Sequence, residues 1–226
     1  MSNAVFASQR VAWNLDALND TFNSASPETI VRWALAQNLQ VVTSTSFGTQ
    51  SAAMLHLVSK LRPSLPVLWI DSGFSPAKTR EFNRQLVEQL NLNLVTYRPN
   101  LTPLRCLHAI SATDTEDLSE EQRAQLANLV KIEPFERAMS ALKPHIWLTG
   151  IRAEETSFRA KLRPASWDDR GMLKLAPFLH SSEADIDAYL AQHNLPRGPA
   201  SVDPTKAGPH LECGLHTRRS QPQSFK

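Results

Sequence analysis

LQVVTSTSFGTQS, residues 39–51, holds the change of pattern that decides the fold. Val41, Val42 and Thr43 form a short β-branched run that reads as a buried strand. The run dissolves into small polar residues, and TQSAAMLHLVSKL (49–61) continues with helical spacing. Working outward, the alternation recurs: strand LPVLWID (65–71), helix PAKTREFNRQLVEQL (76–90) with Phe82, Leu86 and Leu90 four apart, then strand LNLVTY (92–97). HIWLTG (145–150) and LKLAPF (173–178) read as further strands, and Ser182 with Asp185 makes a capping-box start for the helix SEADIDAYLAQHNL (182–195). The first forty residues read as two helices, the second opened by Ser26 as N-cap and Pro27 at the first helical position. Strands alternating with amphipathic helices predict an α/β domain, doubly wound, with a mostly parallel sheet and helices on both faces. The expected organisation is one α/β nucleotide-binding domain over 1–194, with N-terminal helices in 1–38 packed on it, and a flexible C-terminal tail over 195–226 that carries many of the prolines. Residues 100–119 lack a clean period and read as a loop or frayed helix, whereas 120–142 reads as one helix.

Composition narrows the function classes. The chain has 226 residues, 42% of them hydrophobic, which fits a single domain with one core. Basic and acidic residues number 24 and 22, a balance that argues against a nucleic-acid coat or a polybasic membrane surface. No stretch is apolar enough to span a bilayer, and the first thirty residues carry Arg10, Asp16 and Asp20 without a long apolar core, so a cytoplasmic location is expected. Two cysteines, Cys106 and Cys213, make no disulfide framework and cannot supply the four thiolates of an iron–sulfur cluster. Seven scattered histidines show no metal spacing, so no metal is expected.

Chemistry-bearing residues gather where strands end. In STSFGTQS (44–51), Ser44, Ser46, Phe47, Gly48, Gln50 and Ser51 form a strand-to-helix turn able to aim N–H groups and hydroxyls at an anion, although an ordinary capped turn uses the same residues. In IDSGF (70–74), Asp71 suits a sugar hydroxyl or an adenine amine and Gly73 allows close backbone approach, against the plain reading of an Asp–Gly turn. TGIRAEETSFRAKLR (149–163) offers Arg152 and Arg159 as a fork for phosphate or sulfate, against a solvated charged loop. Lys131 and Glu133 in KIEP read as a surface pair or, for Lys131, an anion ligand. Cys106 reads as a partly buried small side chain. Cys213, in LECGLHTRR (211–219), stands among His216, Arg218 and Arg219, with Lys206 and His210 nearby in sequence, cations that favour a thiolate; Glu212 opposes them. That setting reads as a nucleophile.

Together, STSFGTQS, DSGF, KIEP, GIRAEETSFR and above all ECGLH resemble the phosphoadenylyl sulfate (PAPS) reductases of assimilatory sulfate reduction, on the adenine nucleotide α-hydrolase-like fold, from about residue 28 onward. The resemblance implies a thiol-dependent oxidoreductase in sulfate assimilation and cysteine biosynthesis. Cys213 would attack the sulfonyl sulfur, leaving an S-sulfocysteine and releasing adenosine 3′,5′-bisphosphate, and thioredoxin or glutaredoxin would then free sulfite. Ser44, Ser46, Phe47, Gly48, Gln50, Ser51, Asp71, Gly73, Lys131, Arg152, Arg159, His216 and Arg218 would bind the sulfonucleotide, with no iron–sulfur cluster or other bound cofactor. Relatives are often dimers, which leaves a homodimer open. One stretch departs from the family: RGPASVDPTKAGPH (197–210) is shorter than the usual segment before ECGLH and lacks its GYxSIGD-like part. A cluster-free adenylyl sulfate reductase, an ATP-pyrophosphatase-like adenylating enzyme and a non-catalytic nucleotide-binding relative therefore stand as alternatives.

Overall fold

The structure is a computed structural model that describes residues 12–200 and 203–206. Helices α1 (Leu15–Phe22) and α2 (Pro27–Ala36) come first, and the Ser26 hydroxyl caps α2 by accepting from the Thr29 amide. The chain then alternates through β1 (Val41–Thr45), α3 (Ser51–Leu61), β2 (Val67–Ile70), α4 (Ala77–Leu90) and β3 (Leu94–Tyr97). After α5 (Pro103–Ala109), α6 (Glu120–Ala127) and α7 (Glu133–Leu142) it returns as β4 (Ile146–Leu148), β5 (Ala165–Trp167) and β6 (Leu173–Leu175), and α8 (Glu183–Gln192) follows.

The six strands are ordered β3-β2-β1-β4-β6-β5, all parallel except the β5–β6 pair. The predicted mostly parallel sheet is thus present. One face packs against α2, α3, α4 and α8 through Ile30, Leu55, Val58, Leu86, Ile186 and their neighbours; the other packs Val42, Leu68 and Trp147 against Phe135 and Met139 of α7. Burial on both faces explains why the strands read as continuous apolar runs. From β1 the chain winds outward to β3, then crosses back to place β4 on the other side of β1. At such a reversal the loops leaving the two carboxyl ends diverge and open a crevice.

Three elements differ from the sequence reading. The helix expected over 120–142 is broken by a π-turn, Asn128–Ile132, in which the Glu133 amide bonds back to the Asn128 carbonyl. Pro134 explains the break, because it has no N–H to give and its ring would press on the carbonyl four residues earlier. Residues 100–119 begin with the ordered helix α5, capped by Thr102 and led by Pro103. Strand β5 was not anticipated: three residues after a proline show no period. Its outer edge is closed by the buried Asn19 of α1, whose side chain accepts from the Ala165 amide at 2.8 Å and donates to its carbonyl at 2.9 Å. Among the described residues no helix is long and apolar enough to cross a membrane.

Candidate active site at the carboxyl rim of the sheet

The turn after β1 is held from inside. The Phe47 amide donates to Thr45 Oγ1 at 2.9 Å, and Phe47 adopts a left-handed backbone, φ 51°, that drives its ring into the core, edge-on to Trp69. Phe47 is therefore a pin under the loop, 1% exposed. The Ser44 hydroxyl accepts from Trp147 Nε1 at 2.9 Å, tying β1 to β4, while Ser46 and Gly48 lie exposed at the crest. Gln50 turns away to donate to Asp187 Oδ1 of α8 at 2.9 Å and leaves the start of α3 without a side-chain cap. Directly inside that start, the Ser51 Oγ is buried and has no hydrogen-bond partner. A helix N-terminus without a side-chain cap and with an orphaned hydroxyl suits an anion.

After β2, Asp71 is engaged locally: its carboxylate accepts from the Gly73 amide at 3.1 Å and from Arg98 Nε at 2.9 Å. Gly73 has φ +81°, and a Cβ there would meet Pro103 Cγ at 2.8 Å, so only glycine fits. The Gly73 bond is that of an Asp–Gly turn, and the Arg98 bond ties that turn to the residue after β3. After β4, Arg152 and Arg159 each keep their side chains 11% exposed and pair with Glu154 and Glu155 respectively, and the Arg152 amide donates to Glu155 Oε2 at 2.9 Å. The two arginines thus share one short loop and face outward through their carboxylate partners, which are more exposed.

Lys131 sits on the π-turn. Helix α7 ends where β4 begins, so its start, with Lys131, lies at the carboxyl rim. There Lys131 pairs with Asp203 and donates to Thr205 Oγ1 at 2.9 Å. Burial raises the Asp203 pKa, but the Lys131 charge and bonds from Lys131 and Thr205 outweigh it and hold the carboxyl below its ordinary value. Burial pushes the Cys106 thiol up, in keeping with a packed, neutral side chain. Cys213, His216 and Arg218 lie outside the described residues.

The rim thus gathers the Ser/Gly turn after β1, Asp71 and Gly73 after β2, Arg152 and Arg159 after β4, and Lys131 from the helical layer. Sequence reasoning missed the chain that crosses this rim. Leu195 to Ala200 leave α8 with Arg197 bridging Asp187, at 2.7 Å, and Glu183; the Gly198 amide then donates to the Thr49 carbonyl at 2.7 Å. Further on, Asp203 to Lys206 reach Lys131 and Arg123. The Asp-Pro-Thr turn at 203–205 was a readable local signal; its partners, more than seventy positions away, were not.

Residues 40–199 match the family model of the phosphoadenosine phosphosulfate reductase domain. The chain belongs to the phosphoadenosine phosphosulfate reductase family. Among its curated relatives are phosphoadenosine 5′-phosphosulfate reductases of Synechocystis sp., 36% identical over 188 residues that cover 82% of this chain and 74% of that one, and of Synechococcus sp., 34% identical over 82% and 80%. A solved PAPS reductase from Candida auris, in a phosphate complex, superposes with a TM-score of 0.71 at 23% identity over 84% of this chain and 92% of that one. An FMN adenylyltransferase from Candida glabrata also superposes, with a TM-score of 0.54 at 16% identity over 85% and 62%. The structural likenesses show a shared fold.

Proposed function

We propose that the protein reduces 3′-phosphoadenylyl sulfate to sulfite and adenosine 3′,5′-bisphosphate with electrons from thioredoxin or glutaredoxin. The observation that carries this reading is family membership over residues 40–199 combined with ECGLH near the carboxyl end. In this reading the Cys213 thiolate attacks the sulfonyl sulfur, a Cys–S–SO3 adduct forms, and the bond from sulfur to the phosphate oxygen breaks. A reductant thiolate then attacks Cys213 Sγ, sulfite leaves with the bonding pair, and the reductant's second thiol resolves the mixed disulfide.

The chain's own residues supply the setting. The amino end of α3, which has no side-chain cap, with the orphaned Ser51 hydroxyl is suited to one anionic group of the nucleotide. Arg152 and Arg159 are suited to a second, since a nucleotide oxyanion can take the place of Glu154 and Glu155, which swing outward to water. Cationic neighbours at the developing charge would stabilise the transition state. Gln50 and Phe47 would support the loop, the first through α8 and the second from the core.

The test is incubation with PAPS and reduced thioredoxin, with adenylyl sulfate in parallel. Sulfite should appear with PAPS, and the Cys213→Ser variant should bind adenosine 3′,5′-bisphosphate yet release none. Equal turnover of adenylyl sulfate would move the substrate to the nucleotide without the 3′-phosphate, and undiminished sulfite from Cys213→Ser would remove Cys213 from the reaction.

A further inference from the structure

We propose that Arg98 binds the 3′-phosphate of the nucleotide and so sets the choice between PAPS and adenylyl sulfate. The inference deepens the reading above and rests on it, since it takes the nucleotide to dock at this rim. Strands β1, β2 and β3 are adjacent and parallel, about 4.8 Å apart, so the β1–α3 turn, Asp71 and Arg98 follow one another across the rim. Asp71 suits a ribose hydroxyl, and its carboxylate accepts from Arg98 Nε at 2.9 Å. With a 5′ anionic group at the amino end of α3, a ribose over Asp71 carries its 3′ substituent toward β3, where the Arg98 guanidinium stands. In dinucleotide-binding folds the same division of labour, a carboxylate for a ribose hydroxyl and an arginine for its phosphate, separates the two cofactor types.

The way Arg98 is held leaves its fork open. Arg152, Arg159, Lys131 and Arg197 each give a terminal nitrogen to a carboxylate. Arg98 gives Asp71 only Nε; among the described residues its two Nη groups have no hydrogen-bond partner, and the side chain is 67% exposed. Its backbone is fixed as well, because Arg137 Nη2 donates to the Arg98 carbonyl at 2.6 Å while Arg137 pairs with Glu133 and lies over the Tyr97 ring. The result is a planar pair of donors, oriented by Asp71 and facing water, the geometry that takes two phosphate oxygens at once. Arg98 also offsets the Asp71 charge, which alone would repel a phosphate. A ribose with a free 3′-hydroxyl offers the fork one neutral oxygen in place of an anion and gains little from it.

The experiment uses the full chain and measures binding of adenosine 3′,5′-bisphosphate and of AMP by titration calorimetry. The unaltered chain should bind the bisphosphate more tightly. Arg98→Met, which keeps the apolar stem and drops the fork, should weaken the bisphosphate about tenfold and leave AMP unchanged. Retained AMP binding also reports that the variant is folded. Arg98→Lys, which restores charge without the fork, should fall between the two. In turnover with reduced thioredoxin, Arg98→Met should raise KM for PAPS with kcat unchanged. Bisphosphate affinity equal to that of the unaltered chain in Arg98→Met would overturn the inference, as would equal losses for both nucleotides, which would make Arg98 a prop for the Asp71 turn. An unaltered chain that binds AMP as tightly as the bisphosphate would instead sink the reading of the substrate as PAPS, and the inference with it.

Discussion

Gly198 lies against the edge of the Phe82 ring so closely that a Cβ there would stand 2.9 Å from Cε1 and 3.2 Å from the Gly48 carbonyl oxygen. The ring can swing, but the carbonyl belongs to the turn after β1 and cannot. Gly198→Ala should therefore lift the crossing chain off that turn and weaken the Gly198–Thr49 hydrogen bond, at a cost of about 1 kcal/mol. Urea unfolding of Gly198→Ala and Gly198→Val checks this, with the larger side chain expected to cost more; equal midpoints would contradict the crowding.

Ser44 joins β1 to β4 through its acceptance of the Trp147 indole N–H at 2.9 Å, deep beside the switch in strand order. Ser44→Ala should cost about 1 kcal/mol, the ordinary worth of a hydrogen bond within a protein. Chemical denaturation should show a lower midpoint with an unchanged slope. A midpoint equal to that of the unaltered chain would argue against the bond's importance.

Arg170 forms a nearly buried ionic node with Asp168, 6% exposed, and with Glu136 at 2.6 Å, while its guanidinium stacks over the Phe135 ring. Removing one partner from such a node leaves charge stranded in a poorly solvating place. Arg170→Met should destabilise the protein by about 3 kcal/mol, and adding Asp168→Asn should recover part of the loss. The double variant falling below the single one in thermal midpoint would refute the assignment.

His56 of α3 shares a hydrogen bond of 2.9 Å with the Tyr189 hydroxyl and lies against the ring of His193. Burial, then the charges of His193 and Lys60, hold its pKa below the ordinary value. Below about pH 6.5 the unfolded chain therefore takes up a proton that the folded chain resists, and stability must fall with falling pH through that range. Unfolding midpoints measured from pH 7 to pH 5 should decline less steeply in His56→Gln; parallel declines would show that another group is responsible.

What the sequence disclosed and what it hid divide by range. The Ser26 and Ser182 caps, the strand ending at Thr45 and the helix through Phe82 and Leu86 were readable because their signals lie within a few residues. The π-turn was not, since the π geometry is a compromise between Pro134 and the packing of both flanking helices. Strand β5 exists because Asn19, almost 150 positions earlier, closes its edge. In the site, the loops after β1, β2 and β4 were legible as turns of suggestive composition. That Gln50 serves α8, that Glu154 and Glu155 occupy the two arginines, and that Lys131 is taken by Asp203 depend on side chains meeting in space.

The widened turn at Asn128–Ile132 holds one residue more than an α-helical turn would. Deleting a single residue there would restore a regular helix and leave the flanking helices in nearly the same phase, because the wide turn already absorbs the rotation of its extra residue. The loss would be local: Lys131, on the widened turn itself, would give up the backbone geometry that brings it to Asp203 and Thr205.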